Sequence, residues 1–202
     1  MLDTLAKHAV NASFFVMGRK VSTRDGRALA ERAAGEGHWI GNHTYSHTKP
    51  LGELDRASAL AEFEQAEESL AWLDQRPRLF RPYGRQGKLG HHLLHPAVVE
   101  KLVAGKYTTV LWNCVPQDWR DEDGWPATAL EHCKSHPWSL VVLHDQPKAA
   151  PKHLDRFLIA LKDAGIPIVQ PFPDDCVPIR EGRIVHPIER WTSLNTIKLP
   201  IE

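Results

Sequence analysis

Short apolar runs alternate with longer stretches of helical periodicity along this chain, and that alternation limits its fold more than any other feature. The runs "ASFFVM", "HWIGN", "LFRPYG", "YTTVLWN", "SLVVLHD" and "IPIVQPF" have the length and content of buried strands. Between them, "DGRALAERAAGEG", "GELDRASALAEFEQAEESLAWLDQ", "HPAVVEKLVAG", "WPATALEHCKSH" and "KHLDRFLIALKDAG" read as helices. In the last of these, Leu154, Phe157, Leu158 and Leu161 make one apolar face. Two helices end on glycine, Gly105 and Gly165, where a left-handed cap is easy. Strand–helix alternation predicts a parallel sheet with helices packed outside it, as a barrel or a doubly wound sheet. Near the C-terminus "GRIVHPIERW" is a candidate short strand pair. The alternation begins out of phase: "LDTLAKHAV" reads as a helix, with Leu2, Leu5, Ala6 and Ala9 on one side, and runs directly into "ASFFVM". An alternating fold calls for a strand ahead of that helix, and the chain is expected to lack it.

At 202 residues the chain can bury one sizeable core, and no linker or repeat divides it, so residues 1–202 are taken as one domain. Lys and Arg total 25, Asp and Glu total 25, which leaves no basic face for nucleic acid and no acidic tail. No apolar run approaches the roughly 20 residues of a membrane helix. The N-terminus has no signal-peptide pattern. The cysteines, Cys114, Cys133 and Cys176, are odd in number and show no C-x-x-C spacing. Read as reduced thiols, they fit a cytoplasmic setting for the chain as given.

In parallel strand–helix folds, sites form at the C-terminal ends of strands. Here those ends carry "NHTYSH", "RPYG", "WNCVPQDW" and "LHD". His43 and His47 are four apart, so their ring nitrogens can face one ion. The spacing alone equally suits two loop histidines bonded to carbonyls. No Glu follows His43, which excludes the H-E-x-x-H pattern. Arg81 alone is a surface arginine beside a proline turn, Asp118-Trp119 a solvated loop, and His144 a half-buried strand-end imidazole with Asp145 capping the next turn. His91, His92 and His95 mimic a second metal cluster, but His95 reads better as the residue before a helix starting at Pro96. Cys114 reads as a small buried residue.

The order "SFFVMG", "GNHTYSH", "FRPYG", "DW", "VVLHD" resembles the polysaccharide deacetylase family, which includes chitin-oligosaccharide and peptidoglycan deacetylases. The resemblance covers residues 2–178. It implies an α/β fold, a distorted seven-stranded (β/α) barrel, here lacking its first strand. It implies removal of acetyl groups from an acylated carbohydrate, aided by a divalent metal, most often zinc. On that resemblance His43 and His47 are metal ligands and His144 is the general acid, oriented by Asp118, whose carboxylate favours the charged imidazole. Arg81 would pair with the carboxylate that acts as base. Trp119 and Val142, where the family has leucine, would wall the acyl pocket, and Tyr83 lies where a backbone N–H would serve the oxyanion.

This chain departs from the pattern in two places. The family turn has two prolines before the tyrosine; here "RPYG" has one. The family's Asp-Asp pair, base and third metal ligand, has no counterpart near the start, and Asp174-Asp175 in "FPDDCVP" is not a substitute. The chain as given is therefore expected to be catalytically poor and, through unpaired strand edges, to associate with itself. Two further readings are a cofactor-free amidohydrolase acting on cyclic amides or ureides, and a carbohydrate-binding domain that has lost its base.

Overall fold

The computed structural model describes residues 1–146 and 148–193. Four strands form a parallel ladder: β1 (Ser13–Val16), β2 (Trp39–Asn42), β3 (Arg78–Phe80) and β4 (Tyr107–Thr109). In register, Ser13 faces Trp39, Gly41 faces Leu79, and Arg78 faces Tyr107. Two short strands, β5 (Ile179–Arg180) and β6 (Arg183–Ile184), extend the sheet antiparallel in the order β1-β2-β3-β4-β5-β6. Of the strand pair anticipated in "GRIVHPIERW", only β6 lies in that segment; its partner β5 precedes it, and Ile188–Trp191 form a 3-10 turn instead. The fold is α/β, with helices α1 (Leu2–Lys7), α2 (Gly18–Val21), α3 (Arg24–Gly35), α4 (Arg56–Ser69), α5 (Pro96–Ala104), α6 (Trp125–Ser135) and α7 (Leu154–Asp163) before and between the strands.

Local chemistry sets the helix starts. The Thr23 side chain accepts from Gly26 N–H at 3.1 Å ahead of α3, and Asp55 accepts from Ser58 N–H at 3.0 Å ahead of α4. His95 caps α5 through Nδ1, which accepts from Ala97 N–H at 3.1 Å, with Pro96 in the first turn. That role separates His95 from His91, which bonds the Thr192 carbonyl instead. Gly165 has φ +68° and caps α7 as anticipated. Gly105 does not: its φ is −84°, and Lys106 takes the left-handed turn at +55°. Glycine suits position 105 for another reason, because a Cβ there would sit 2.5 Å from the Tyr107 ring.

The main core lies between the sheet and helices α4 and α5, around Phe63, Leu79, Phe80, Val98, Leu102, Leu111 and Ile179. Phe63 meets Phe80 and Tyr107 edge-on at 5.5 and 5.3 Å. A second cluster joins Val21, Ala30, Ala33, Ile40 and Leu70 beneath β1 and β2. The apolar stripe of α7 is buried throughout, as its periodicity requires.

Two anticipated strands do not enter the ladder. "SLVVLHD" makes one isolated parallel bridge, Val141 to Cys114, and "IPIVQPF" forms no strand. A strand is a pairing, and apolar, β-branched sequence is not enough where no neighbour bonds to it. Ile168 and Val169 are accordingly 41% and 54% exposed. β1 is therefore an edge strand, and a cavity of about 1280 Å³ opens between it and residues 139–144. Its walls include Phe14, Val16, Val141, Leu143 and Leu158. Strand pairing among the described residues does not close into a seven-stranded barrel.

His38 ties the start of β1 to the start of β2. It is 4% exposed, its Nδ1 accepts from Ala12 N–H at 3.0 Å, and its Nε2 has no hydrogen-bond partner. Burial lowers its pKa below the usual 6.5, against a smaller opposing effect of Glu36. The unfolded chain thus takes a proton on this ring more readily than the folded one, so the stabilisation is present above pH 6.5 and is lost as pH falls below it. His38→Gln, which keeps an acceptor but does not titrate, is expected to flatten this part of the stability–pH curve in urea titrations between pH 7 and 5. An unchanged slope would remove His38 from the account.

Candidate active site

β2 ends at Asn42, and the chain then turns through residues 43–47, which carry both histidines. Thr44 and His47 have positive φ, 63° and 56°, in the left-handed region that non-glycine residues enter at a cost of ~1–3 kcal/mol each. Bonds from three directions hold the turn. Asn42 Oδ1 accepts from Thr44 N–H at 2.8 Å. The Thr44 and Tyr45 carbonyls accept from Gly18 and Arg19 N–H, at the start of α2, at 3.0 and 3.1 Å. His43 N–H donates to the Val16 carbonyl at 3.0 Å, which continues the parallel ladder one residue past the strand.

This turn sets the His43 and His47 rings 4.6 Å apart, centroid to centroid. His43 Nδ1 lies 2.8 Å from the Arg81 carbonyl, so Nδ1 carries the proton and Nε2 keeps its lone pair. Removal from water, then the neighbouring His47, lowers the His43 pKa to about 3. The same burial, then His144, lowers that of His47 to about 4. Both rings are neutral at pH 7 and available as nitrogen donors. The Tyr83 ring packs on His47 at 4.0 Å.

Arg81 follows β3 and is 8% exposed. Its Nε donates to the Val110 carbonyl at 3.1 Å and its Nη2 to Leu111 at 3.2 Å, while the guanidinium lies 4.1 Å over the Phe15 ring. Burial lowers its pKa to about 9. The carboxylate that the resemblance pairs with Arg81 belongs to the Asp-Asp motif that has no counterpart near the start, and among the described residues none lies within ion-pair distance of Arg81, in line with an arginine left without its acid. Carbonyls and an aromatic face take that place. Phe15 had no signal in the sequence beyond membership of an apolar run.

On the other side of the cavity, Asp118 is fully buried beneath His144. Its Oδ1 pairs with His144 Nδ1 at 2.8 Å, and its Oδ2 accepts from the N–H groups of His144 at 2.7 Å and Ala150 at 3.1 Å. The Trp119 ring meets the His144 ring edge-on at 4.6 Å. His43, His47, Arg81, Val142 and His144 all line the one cavity, whereas Tyr83 and Trp119 pack against the imidazoles. The sequence candidates therefore come together, although they are spread over 102 positions of the chain, from 43 to 144. His91, His92 and Asp174-Asp175 stand outside the cavity lining.

Among the described residues no three His, Cys, Asp or Glu side chains gather where they could hold a metal ion. Two imidazole nitrogens are half of a tetrahedral zinc set.

The Asp118 carboxylate accepts three hydrogen bonds in a site without water access. Asp118→Asn puts an amide NH₂ against donors, and should cost about 1–3 kcal/mol, the penalty for unsatisfied buried polar groups. Urea denaturation measures it; a midpoint equal to the parent's would show the three bonds to be dispensable.

The chain is similar to several known proteins. Residues 1–92, which include His43, His47, Arg81 and Tyr83, match a family model described as polysaccharide deacetylase. The peptidoglycan-N-acetylglucosamine deacetylase PgdA of Listeria monocytogenes is 29% identical over 174 residues, covering 84% of this chain and 34% of PgdA. The chitooligosaccharide deacetylase of Rhizobium leguminosarum is 29% identical over 147 residues, 72% of this chain and 63% of that protein. The chain thus spans less than two thirds of the length of these curated relatives. The structure of the peptidoglycan deacetylase PdaC from Bacillus subtilis superposes with a TM-score of 0.65 at 25% identity, covering 84% of this chain and 78% of that one.

Proposed function

We propose that this chain, a relative of the polysaccharide deacetylases, is a hydrolase that removes acetyl groups from an acetylated carbohydrate, its substrate class being N-acetylated glycans of the peptidoglycan or chitin type. The observation that carries this reading is the convergence of two neutral imidazoles, a buried guanidinium and a carboxylate-held imidazole on one cavity. In the same reading, the sheet is part of the distorted barrel of that family.

Hydrolysis of an acetamide breaks the C–N bond, leaves the water oxygen on the acetyl carbon, and puts a proton on the departing nitrogen. His144 is suited to the last task. Its Nδ1 is committed to Asp118, so Nε2 is the atom that delivers the proton. Asp118 fixes the ring's tautomer and orientation. Arg81 puts positive charge on the cavity wall. Val142 walls the acyl group, and Trp119 and Tyr83, packed on His144 and His47, hold those rings in place.

A divalent metal, zinc above all, fits His43 and His47 as a two-nitrogen half-site: both rings are neutral, and the His43 tautomer is fixed by Arg81. When bound, such an ion supplies a polarised carbonyl and an activated water. A second reading, a carbohydrate-binding domain without turnover, needs only the cavity.

Acetate release from acetylated chito-oligosaccharides, together with metal analysis, separates the two. Under the first reading, His144→Ala lowers turnover by about 10²–10⁴, the range for losing a general acid or base, with metal content unchanged. His43→Ala lowers the metal content itself. Tight saccharide binding with no acetate released at saturating zinc, even in the full-length protein, would favour the second reading. Loss of metal in His144→Ala would make His144 a ligand.

A further inference from the structure

Both histidines depend on a turn whose backbone is strained at Thr44 and His47, and one helix grips that turn at two points. From α4, Glu62 takes both donors of Ser46, the residue before His47. Oε2 accepts from Ser46 N–H at 2.8 Å and Oε1 from Ser46 Oγ at 2.5 Å. Five residues along α4, Glu67 Oε1 accepts from Asn42 Nδ2 at 2.7 Å, and Asn42 in turn bonds Thr44 N–H. The Phe63 carbonyl takes a further bond from Asn42 Nδ2 at 3.2 Å. The turn is thereby anchored just before His43 and just before His47. Glu67 also bonds Arg78 and the Tyr107 hydroxyl, and so has a structural task of its own. Glu62 does not: every hydrogen bond to it among the described residues comes from Ser46. A two-point bond from a helical carboxylate fixes the Ser46 peptide plane, and with it the direction in which the next residue, His47, leaves the backbone.

We propose that Glu62 is a positioning residue for the imidazole pair, acting through Ser46 to hold His47 against His43 and Tyr83. The proposal rests on the metal reading above only for its affinity measurement. The ring geometry can be measured with no metal present.

The experiment uses the full chain and the variants Glu62→Gln and Ser46→Ala, with three readouts: proton NOEs among the His43, His47 and Tyr83 rings, zinc affinity by titration with the metal alone, and thermal midpoint. Glu62→Gln removes the carboxylate charge and keeps one acceptor for two Ser46 donors, so that the Ser46 hydroxyl must turn its proton away and accept from the amide. It should weaken the His47–Tyr83 NOEs in the metal-free protein. Zinc affinity should fall by about 10–100-fold, the usual effect of losing a residue that orients a ligand. Ser46→Ala keeps the backbone bond and should fall between parent and Glu62→Gln. Glu62→Asp should restore part of the NOE pattern. A parent chain that binds no zinc would sink the metal reading while the NOEs still decide the positioning role. NOEs unchanged in Glu62→Gln overturn the proposal, whatever happens to the thermal midpoint. If Glu62→Gln fails to fold, Ser46→Ala with parental NOEs and zinc affinity overturns it equally.

Discussion

A buried guanidinium with no acid beside it among the described residues ties four strands together. Arg81 leaves the end of β3, reaches the two carbonyls that follow β4, and lies on Phe15 of β1, while its own carbonyl fixes the ring of His43 beyond β2. Carbonyl oxygens carry only partial charge, so the ion is poorly compensated, and its pKa falls to about 9 by burial. Such a group is tolerated where its surroundings over-determine its place. Here a Cβ at Gly41 would come within 2.7 Å of the Phe15 ring, so glycine leaves room for the aromatic platform on which Arg81 rests.

The electrostatics of the cavity follow from that arrangement. One wall carries a cation and two imidazoles held neutral by burial first, then by His47 for His43 and by His144 for His47. The opposite wall carries His144 with its carboxylate hidden behind it. The lining holds the carboxylates Asp3 and Asp145 as well as Lys20 and Arg32, and beside the imidazoles the buried cation of Arg81 attracts negative charge, whether as an oxyanion, a carboxylate or a metal-bound anion. The apolar walls beyond, from β1 and residues 139–144, keep the local dielectric low and strengthen any such interaction.

Much of this was legible beforehand because period and punctuation are local properties. The helical faces, the first four strands, the His95 start and the Gly165 cap follow from nearest neighbours along the chain, whereas the fourth helix begins at Arg56 behind its Asp55 cap rather than at Gly52. Gly105 was misread for a tertiary reason: its glycine serves the approach of the Tyr107 ring rather than a left-handed turn. "SLVVLHD" and "IPIVQPF" were misread because pairing belongs to two segments and composition to one. The candidate residues at strand ends were found because parallel sheets bring those ends together. Their supports, Phe15, Asn42, Ser46 and Glu62, were not, since a carboxylate on an acidic helix carries no mark of what it faces.

By itself the sequence determined an alternating α/β chain with its polar motifs at strand ends, and which side chains were candidates for chemistry. Periodicity and motif spacing encode both, and neither needs a contact. Only the tertiary structure decided that His43 and His47 are neutral and side by side, that His144 has one ring nitrogen committed to a buried Asp118, and that Arg81 rests on carbonyls rather than on an acid. Protonation, tautomer and charge compensation depend on burial and on partners far away in the chain, and those exist only once the strands have packed.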